Sequence, residues 1–166
     1  EKGNYQNGRR QGEWLEYHSN GQLHEKGTYH NGNRKDGLWE NYHDNGQLFE
    51  KGNYQNNRRQ GEWLVYFNNG YYQKGNYQNG DREGEWLVYH SNGQLHKKEN
   101  YQNGLRQGEW LEYHSNGQLH EKGTYTIHLK DGLWVSYHSN GQLMGRENYK
   151  NGELQGEYEF YYDNGQ

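Results

Sequence analysis

The chain has 166 residues, a formal net charge of −4, no Cys, no Pro and 25 Gly, and only 28% of it is hydrophobic although 16% is aromatic. This excludes disulfides, cysteine metal sites and an aliphatic two-layer core, and no stretch approaches the roughly 20 apolar residues of a membrane helix. The mild negative charge favours neither nucleic acid nor an anionic membrane, and 18 Tyr with 6 Trp argue against disorder.

From Glu1 onward the chain repeats one unit about seven times, at a spacing of 24 residues with one unit of 25 and one of 23. Trp14, Trp39, Trp63, Trp86, Trp110 and Trp134 mark one position, with Tyr158 in the seventh slot. Three residues later stand Tyr17, Tyr42, Tyr66, Tyr89, Tyr113, Tyr137 and Tyr161, each followed by Asn-Gly. A second tyrosine series begins at Tyr5 and Tyr29 and ends at Tyr149. A glycine every few residues costs too much helical propensity and argues against helix. Asn-Gly between alternating aromatic runs predicts a β-hairpin closed by a two-residue type I′ turn.

In the first complete unit a turn on Asn20-Gly21 sets Ser19 opposite Gln22, His18 opposite Leu23, Glu16 opposite Glu25, Trp14 opposite Gly27 and Gly12 opposite Tyr29. Each Trp is then expected to shield the glycine facing it, except where Glu99 and Glu147 take that place. Leu15 and Tyr17 fall on the other face unless a bulge brings Tyr17 round beside Trp14. The second connection, Gln6 to Gln11, reads as a longer polar loop.

The fold class expected is all-β: an elongated single-layer antiparallel meander of hairpins, one array over residues 1–166, with a rise of about 10 Å per unit. Neither end has a distinct polar cap. The array is therefore expected to extend further or to associate end to end through its exposed strands.

Further along the chain the unit departs from its own pattern. Phe49 replaces a usual His, and Phe67, Tyr71 and Tyr72 replace His, Gln and Leu in the shortened unit. Thr126-Ile127-His128-Leu129 replaces a polar Asn-Gly loop, and Met144-Gly145-Arg146 replaces His-Glu-Lys. A partner that distinguishes one repeat from another must read such places, so Phe67, Tyr71, Tyr72, Ile127 and Leu129 are candidate contact residues. Arg10, Arg34, Arg59, Arg82, Arg106 and Lys130 read as a basic row along one edge, either a solvated rim or a docking strip for an acidic partner.

No catalytic constellation is present, because copies repeated along an open sheet supply no unique desolvated pocket. Equivalent histidines such as His18, His43 and His90 lie about one repeat rise apart, too far to converge on one ion, so neither metal nor cofactor is expected.

Gly12, Trp14, Tyr17, Asn20, Gly21, Leu23, Gly27 and Tyr29, with their copies, resemble the MORN repeat, and more closely its bacterial variant, which includes the YwqK-type antitoxin family. The resemblance implies a non-enzymatic protein-binding scaffold, in bacteria often one that neutralises a toxin or confers immunity. A carbohydrate- or cell-surface-binding aromatic module is the second reading and phospholipid association the third. Choline- and glucan-binding repeats look similar, but their unit is shorter.

Overall fold

A computed structural model describes residues 1–30 and 32–166. The chain is all-β, with fifteen strands, each antiparallel to its neighbours, and no helix among the described residues. It divides into two compact units, Glu1–Asn68 with Lys74–Asp81, and Asn69–Gln73 with Arg82–Gln166.

The first unit contains β1 (Lys2–Gln6), β2 (Arg9–Tyr17), β3 (Leu23–His30), β4 (Arg34–Tyr42), β5 (Leu48–Gln55), β6 (Arg58–Tyr66) and most of β7 (Tyr72–Gln78). The second contains most of β8 (Asp81–Tyr89), then β9 (Leu95–Gln102), the short β10 (Leu105–Arg106), β11 (Gly108–Tyr113), β12 (Leu119–Thr126), β13 (Leu129–Tyr137), β14 (Leu143–Lys150) and β15 (Glu153–Phe160). Within each unit strands neighbour one another in chain order; β9 pairs with both β10 and β11.

The two connections of the repeat exchange the roles expected of them. At Asn20-Gly21 only the glycine has positive φ, at 85°. The Gly21 N–H donates to the His18 carbonyl at 2.9 Å and the His18 N–H to the Gln22 carbonyl at 2.8 Å. That is a three-residue loop, a type I turn followed by one left-handed glycine. The Asn20 side chain accepts from the Gln22 N–H, which holds the loop locally.

The tight type I′ turn lies instead in the connection expected to be long. Asn7 and Gly8 have φ of 51° and 72° between the paired residues Gln6 and Arg9. Asn56-Asn57, Asn79-Gly80, Asn103-Gly104 and Asn151-Gly152 repeat this, and Ile127-His128 does so with φ of 49° and 66°.

The register survives this exchange because two errors cancel. Gly12 pairs with Tyr29, Trp14 with Gly27 and Glu16 with Glu25, as the sequence predicts. Nearer the loop Tyr17 pairs with Leu23 rather than His24, so His18 does not face Leu23. The loop is one residue longer than expected, and a bulge at His24 takes up the difference. The extra residue lies in β3, so alternation from Trp14 to Tyr17 in β2 continues undisturbed. The tyrosines of this series stay opposite the tryptophans: the Tyr42 hydroxyl donates to Glu40 at 2.7 Å, beside Lys26.

The glycine shielded by each Trp is also a different one. A Cβ on Gly27 would come within 2.2 Å of the Trp39 ring, not that of Trp14. Trp14 covers Gly3, Trp63 covers Gly52 and Trp134 covers Gly123 in the same way. The ring therefore crosses the tight-turn pairing, from one hairpin to the preceding one. A local shift in the pairing allows it: Asn4 pairs with Gln11 but Gly3 with Trp14, which leaves Gly12 and Glu13 as extra residues in β2. Gly12 adopts φ 75° to make that kink, a conformation costly for other residues.

Glu99 occupies the glycine position that Trp110 would cover. Trp110 instead tilts against Trp134, with centroids 5.2 Å apart, and the ladder breaks at Gln107 between β10 and β11. Gly52→Ala should reproduce this conflict where no compensation exists. Its Cβ would meet the Trp63 ring at 2.3 Å, so a loss of about 1–3 kcal/mol in urea unfolding is expected. An unchanged midpoint would remove the ring-on-glycine contact as the source of stability.

Candidate functional site

The basic row is built from the tight-turn strands upward. Arg10, Lys35, Arg59, Arg106 and Lys130 each pair in register with a tyrosine of the second series: Tyr5, Tyr29, Tyr54, Tyr101 and Tyr125. Lys35 therefore holds the place expected of Arg34, because the long repeat shifts the count by one. Arg34 lies at the turn rim, paired with His30 and hydrogen-bonded to Asn56 at 3.0 Å.

Most cations of the row face inward. Arg10 lies over the Trp14 ring at 4.4 Å, Lys35 over Trp39 at 4.0 Å, Arg59 over Trp63 at 4.3 Å, Arg82 over Trp86 at 4.0 Å and Lys130 over Trp134 at 3.9 Å. These distances are within the range of cation–π attraction. Carboxylates complete the contact: Glu25 for Lys35 at 2.7 Å, Glu50 for Arg59 at 2.9 Å and Glu121 for Lys130 at 3.1 Å. The Tyr29 hydroxyl accepts from Arg10, and that bond holds the guanidinium above its ordinary pKa.

Arg106 is the exception that explains Glu99. In its hairpin Lys97 stands where Glu25 and Glu50 stand elsewhere, and Glu99 returns the carboxylate two residues on. Arg106 approaches Glu99 Oε1 to 3.0 Å, an ion-pair distance without hydrogen-bond alignment, and sits over Tyr125 instead of Trp110.

The departures from the repeat fall into two groups. Tyr71 and Tyr72 are half-buried: Tyr72 stacks on Tyr89 at 4.6 Å, and the Tyr71 hydroxyl meets His90 Nδ1 at 3.1 Å. Phe67, Ile127 and Leu129 are exposed, Ile127 at 62%. The N–H of His128 donates to the Arg106 carbonyl, and the Arg106 N–H donates to His128 Nδ1, so the imidazole does the work of Asn33 and Asn57 in equivalent turns. The Ile127 turn therefore lies against the β10 strand that carries exposed Leu105.

Sequence reasoning placed the first histidine series but missed what lies beside it. Each of His18, His43, His90, His114 and His138 reaches, through Nε2, a backbone carbonyl one repeat further on, at 2.8–3.3 Å. In four of these loops a second ring packs against the first: His24 on His18, Phe49 on His43, His96 on His90 and His120 on His114. The six-residue spacing, fixed by the three-residue loop and the bulge, was the available signal. Burial pushes the His96 imidazole below its ordinary pKa, against the opposing Tyr113 carbonyl.

An open cavity of about 630 Å³ in the first unit is lined by Trp14, Leu15, Lys26, Leu38 and Glu40 among others. Lys26 holds the Glu40 carboxyl below its usual range, so the two charges in its wall satisfy each other.

The MORN repeat variant profile matches residues 10–31, 35–56, 82–103, 106–126, 130–151 and 154–166, well over half of the chain. This chain belongs to the MORN repeat variant family. The stretch between the second and third matches contains the shortened MORN unit, with its deletion after Gly70. It still forms the β6 and β7 strands of the repeat. No curated protein matches the chain significantly. As a MORN repeat scaffold the chain fits a repeat-type binding protein, and no enzyme family is indicated.

If the inward cations are part of the MORN core, Arg59 and Arg58 must behave differently. Arg59→Ala leaves the buried Glu50 carboxylate with a neutral donor, Asn41, in place of its cation and should cost about 2–3 kcal/mol, whereas exposed Arg58→Ala should stay within about 0.5 kcal/mol. Equal effects in urea titration would mean that the row is not structural.

Proposed function

We propose that this array is a non-enzymatic protein-binding scaffold of the toxin-neutralising antitoxin or immunity type. Its contact surface is the tight-turn rim of the unit formed by Asn69–Gln73 and Arg82–Gln166, centred on Ile127. One observation carries the reading: a β-branched residue occupies the left-handed position of the turn and leaves its side chain 62% exposed. Such a conformation costs about 1–2 kcal/mol outside glycine and asparagine, and strain of this kind is kept where it serves a purpose.

Neighbours supply the rest of an apolar patch. Leu105, Leu129 and Leu154 are 39%, 46% and 44% exposed, and Leu129 packs within 3.2 Å of where a Cβ on Gly152 would stand. A strained apolar anchor among leucines suits a protein surface. Sugar binding would use ring faces open to solvent, whereas the six tryptophans are 0–6% exposed and covered by cations and tyrosine edges.

The test separates stability from binding. Ile127→Asn/His128→Asn gives the turn the chemistry of Asn56-Asn57, keeps an acceptor for the Arg106 N–H and should raise stability by about 1–2 kcal/mol. With a partner captured from host extract and then purified, the same double variant should bind at least tenfold more weakly. Undiminished affinity would rule out the rim as the contact surface. A partner that does not arrest growth when expressed alone, or whose arrest the array fails to relieve, would rule out the antitoxin role.

A further inference from the structure

We propose that the His18/His24 and His114/His120 pairs are two-imidazole sites for a borderline divalent transition-metal ion such as Cu²⁺, Ni²⁺ or Zn²⁺. Each pair sits in one open loop, with the first histidine before it and the second at the bulge after it. Ring centroids are 4.5 Å apart in the first pair and 4.4 Å in the second. An ion about 2.1 Å from one nitrogen of each ring lies about 3.2 Å from each centroid, so centroids near 4.5 Å leave room for an N–metal–N angle of roughly 90°. That angle suits tetragonal coordination with water completing the shell.

The tautomer is already set. His18 Nε2 lies 2.9 Å from the Tyr42 carbonyl and His114 Nε2 lies 2.9 Å from that of Tyr137. A carbonyl can only accept, so Nε2 carries a proton and Nδ1 is the nitrogen left with a lone pair in the neutral ring. A histidine that ligates through one nitrogen and is held by a carbonyl at the other is the usual arrangement around a protein-bound metal. The loop hydrogen bonds fix the backbone between the two rings, as at His18–Gln22 and His114–Gln118, so little ordering is left for the ion to impose.

The other loops define what a site requires. At His90/His96 the Tyr71 hydroxyl meets His90 Nδ1 at 3.1 Å, and both rings lie against the Tyr113 carbonyl. At His43 the second ring is Phe49, at 5.0 Å, which keeps the packing and removes the donor. The chain thus supplies its own control for a histidine-to-phenylalanine change at this position.

Untagged protein titrated calorimetrically with Ni²⁺ at pH 8 should bind two ions per chain. His24→Phe and His120→Phe should each remove one, and the double variant should weaken binding at least tenfold while the metal-free melting temperature stays within about 2 °C. Lowering the pH below about 6 should release the ions, because protonated imidazole has no lone pair. Mg²⁺ should not bind, since it prefers oxygen ligands. Absence of saturable Ni²⁺ binding, or equal binding by the double variant, overturns both sites. A single variant that removes no ion overturns its own pair, and saturable Mg²⁺ binding overturns the ligand chemistry.

Discussion

An indole ring lying over a glycine of the preceding hairpin is the contact on which the rest of this structure depends. It needs three things at once: no Cβ beneath the ring, a kink that swings the Trp across the tight-turn pairing, and a cover for the ring's outer side. Gly27 and Gly52 meet the first requirement, Gly37 and Gly61 the second, and Lys35 and Arg59 the third. Tyrosine edges close the flanks, as with Tyr29 and Tyr54 on either side of Trp39. Burying such a ring is worth about 3–5 kcal/mol by large-to-small comparison, and no single hairpin can do it alone. Cooperation between neighbouring hairpins follows from this shared ring.

The same dependence explains why substitutions travel together. Glu99 takes a glycine's place, and with it Lys97 takes a glutamate's, Arg106 leaves the indole face and Trp110 leans on Trp134. In the last hairpin Glu147 replaces the glycine, Leu154 the cation and Tyr158 the tryptophan, and Tyr158 stands 59% exposed. Variation confined to the turns leaves this contact alone. The loop histidines and the Ile127 turn can therefore differ from repeat to repeat without unsettling the core, which makes them the places where binding can be built.

The repeat, the all-β class, the antiparallel hairpins and the pairing of Gly12 through Glu16 were legible in the chain because a two-residue side-chain period and a fixed repeat length leave few alternatives. The turn types were not, since Asn-Gly occurs in both connections and only the hydrogen bonds distinguish them. The candidate site was legible in part. Ile127 and Leu129 stood out by type and are exposed, whereas the cation row looked like a surface feature and proved to lie largely over the indoles, with Lys35 in the place read for Arg34.

Sequence by itself determined which residues recur, and hence that one contact is made repeatedly. It could not say across which pairing the contact is made. Trp14 has a glycine within reach on both sides, Gly3 and Gly27, and both registers are consistent with the alternation. Both pairings occur, and tertiary structure decided which glycine the ring covers, because a left-handed kink at Gly12 re-aims the ring, and a kink's direction is a property of the folded backbone. The histidine pairs were decided in the same way. Six residues of separation become ring contact only when the loop has three residues and the strand a bulge, a combination that the fold selects.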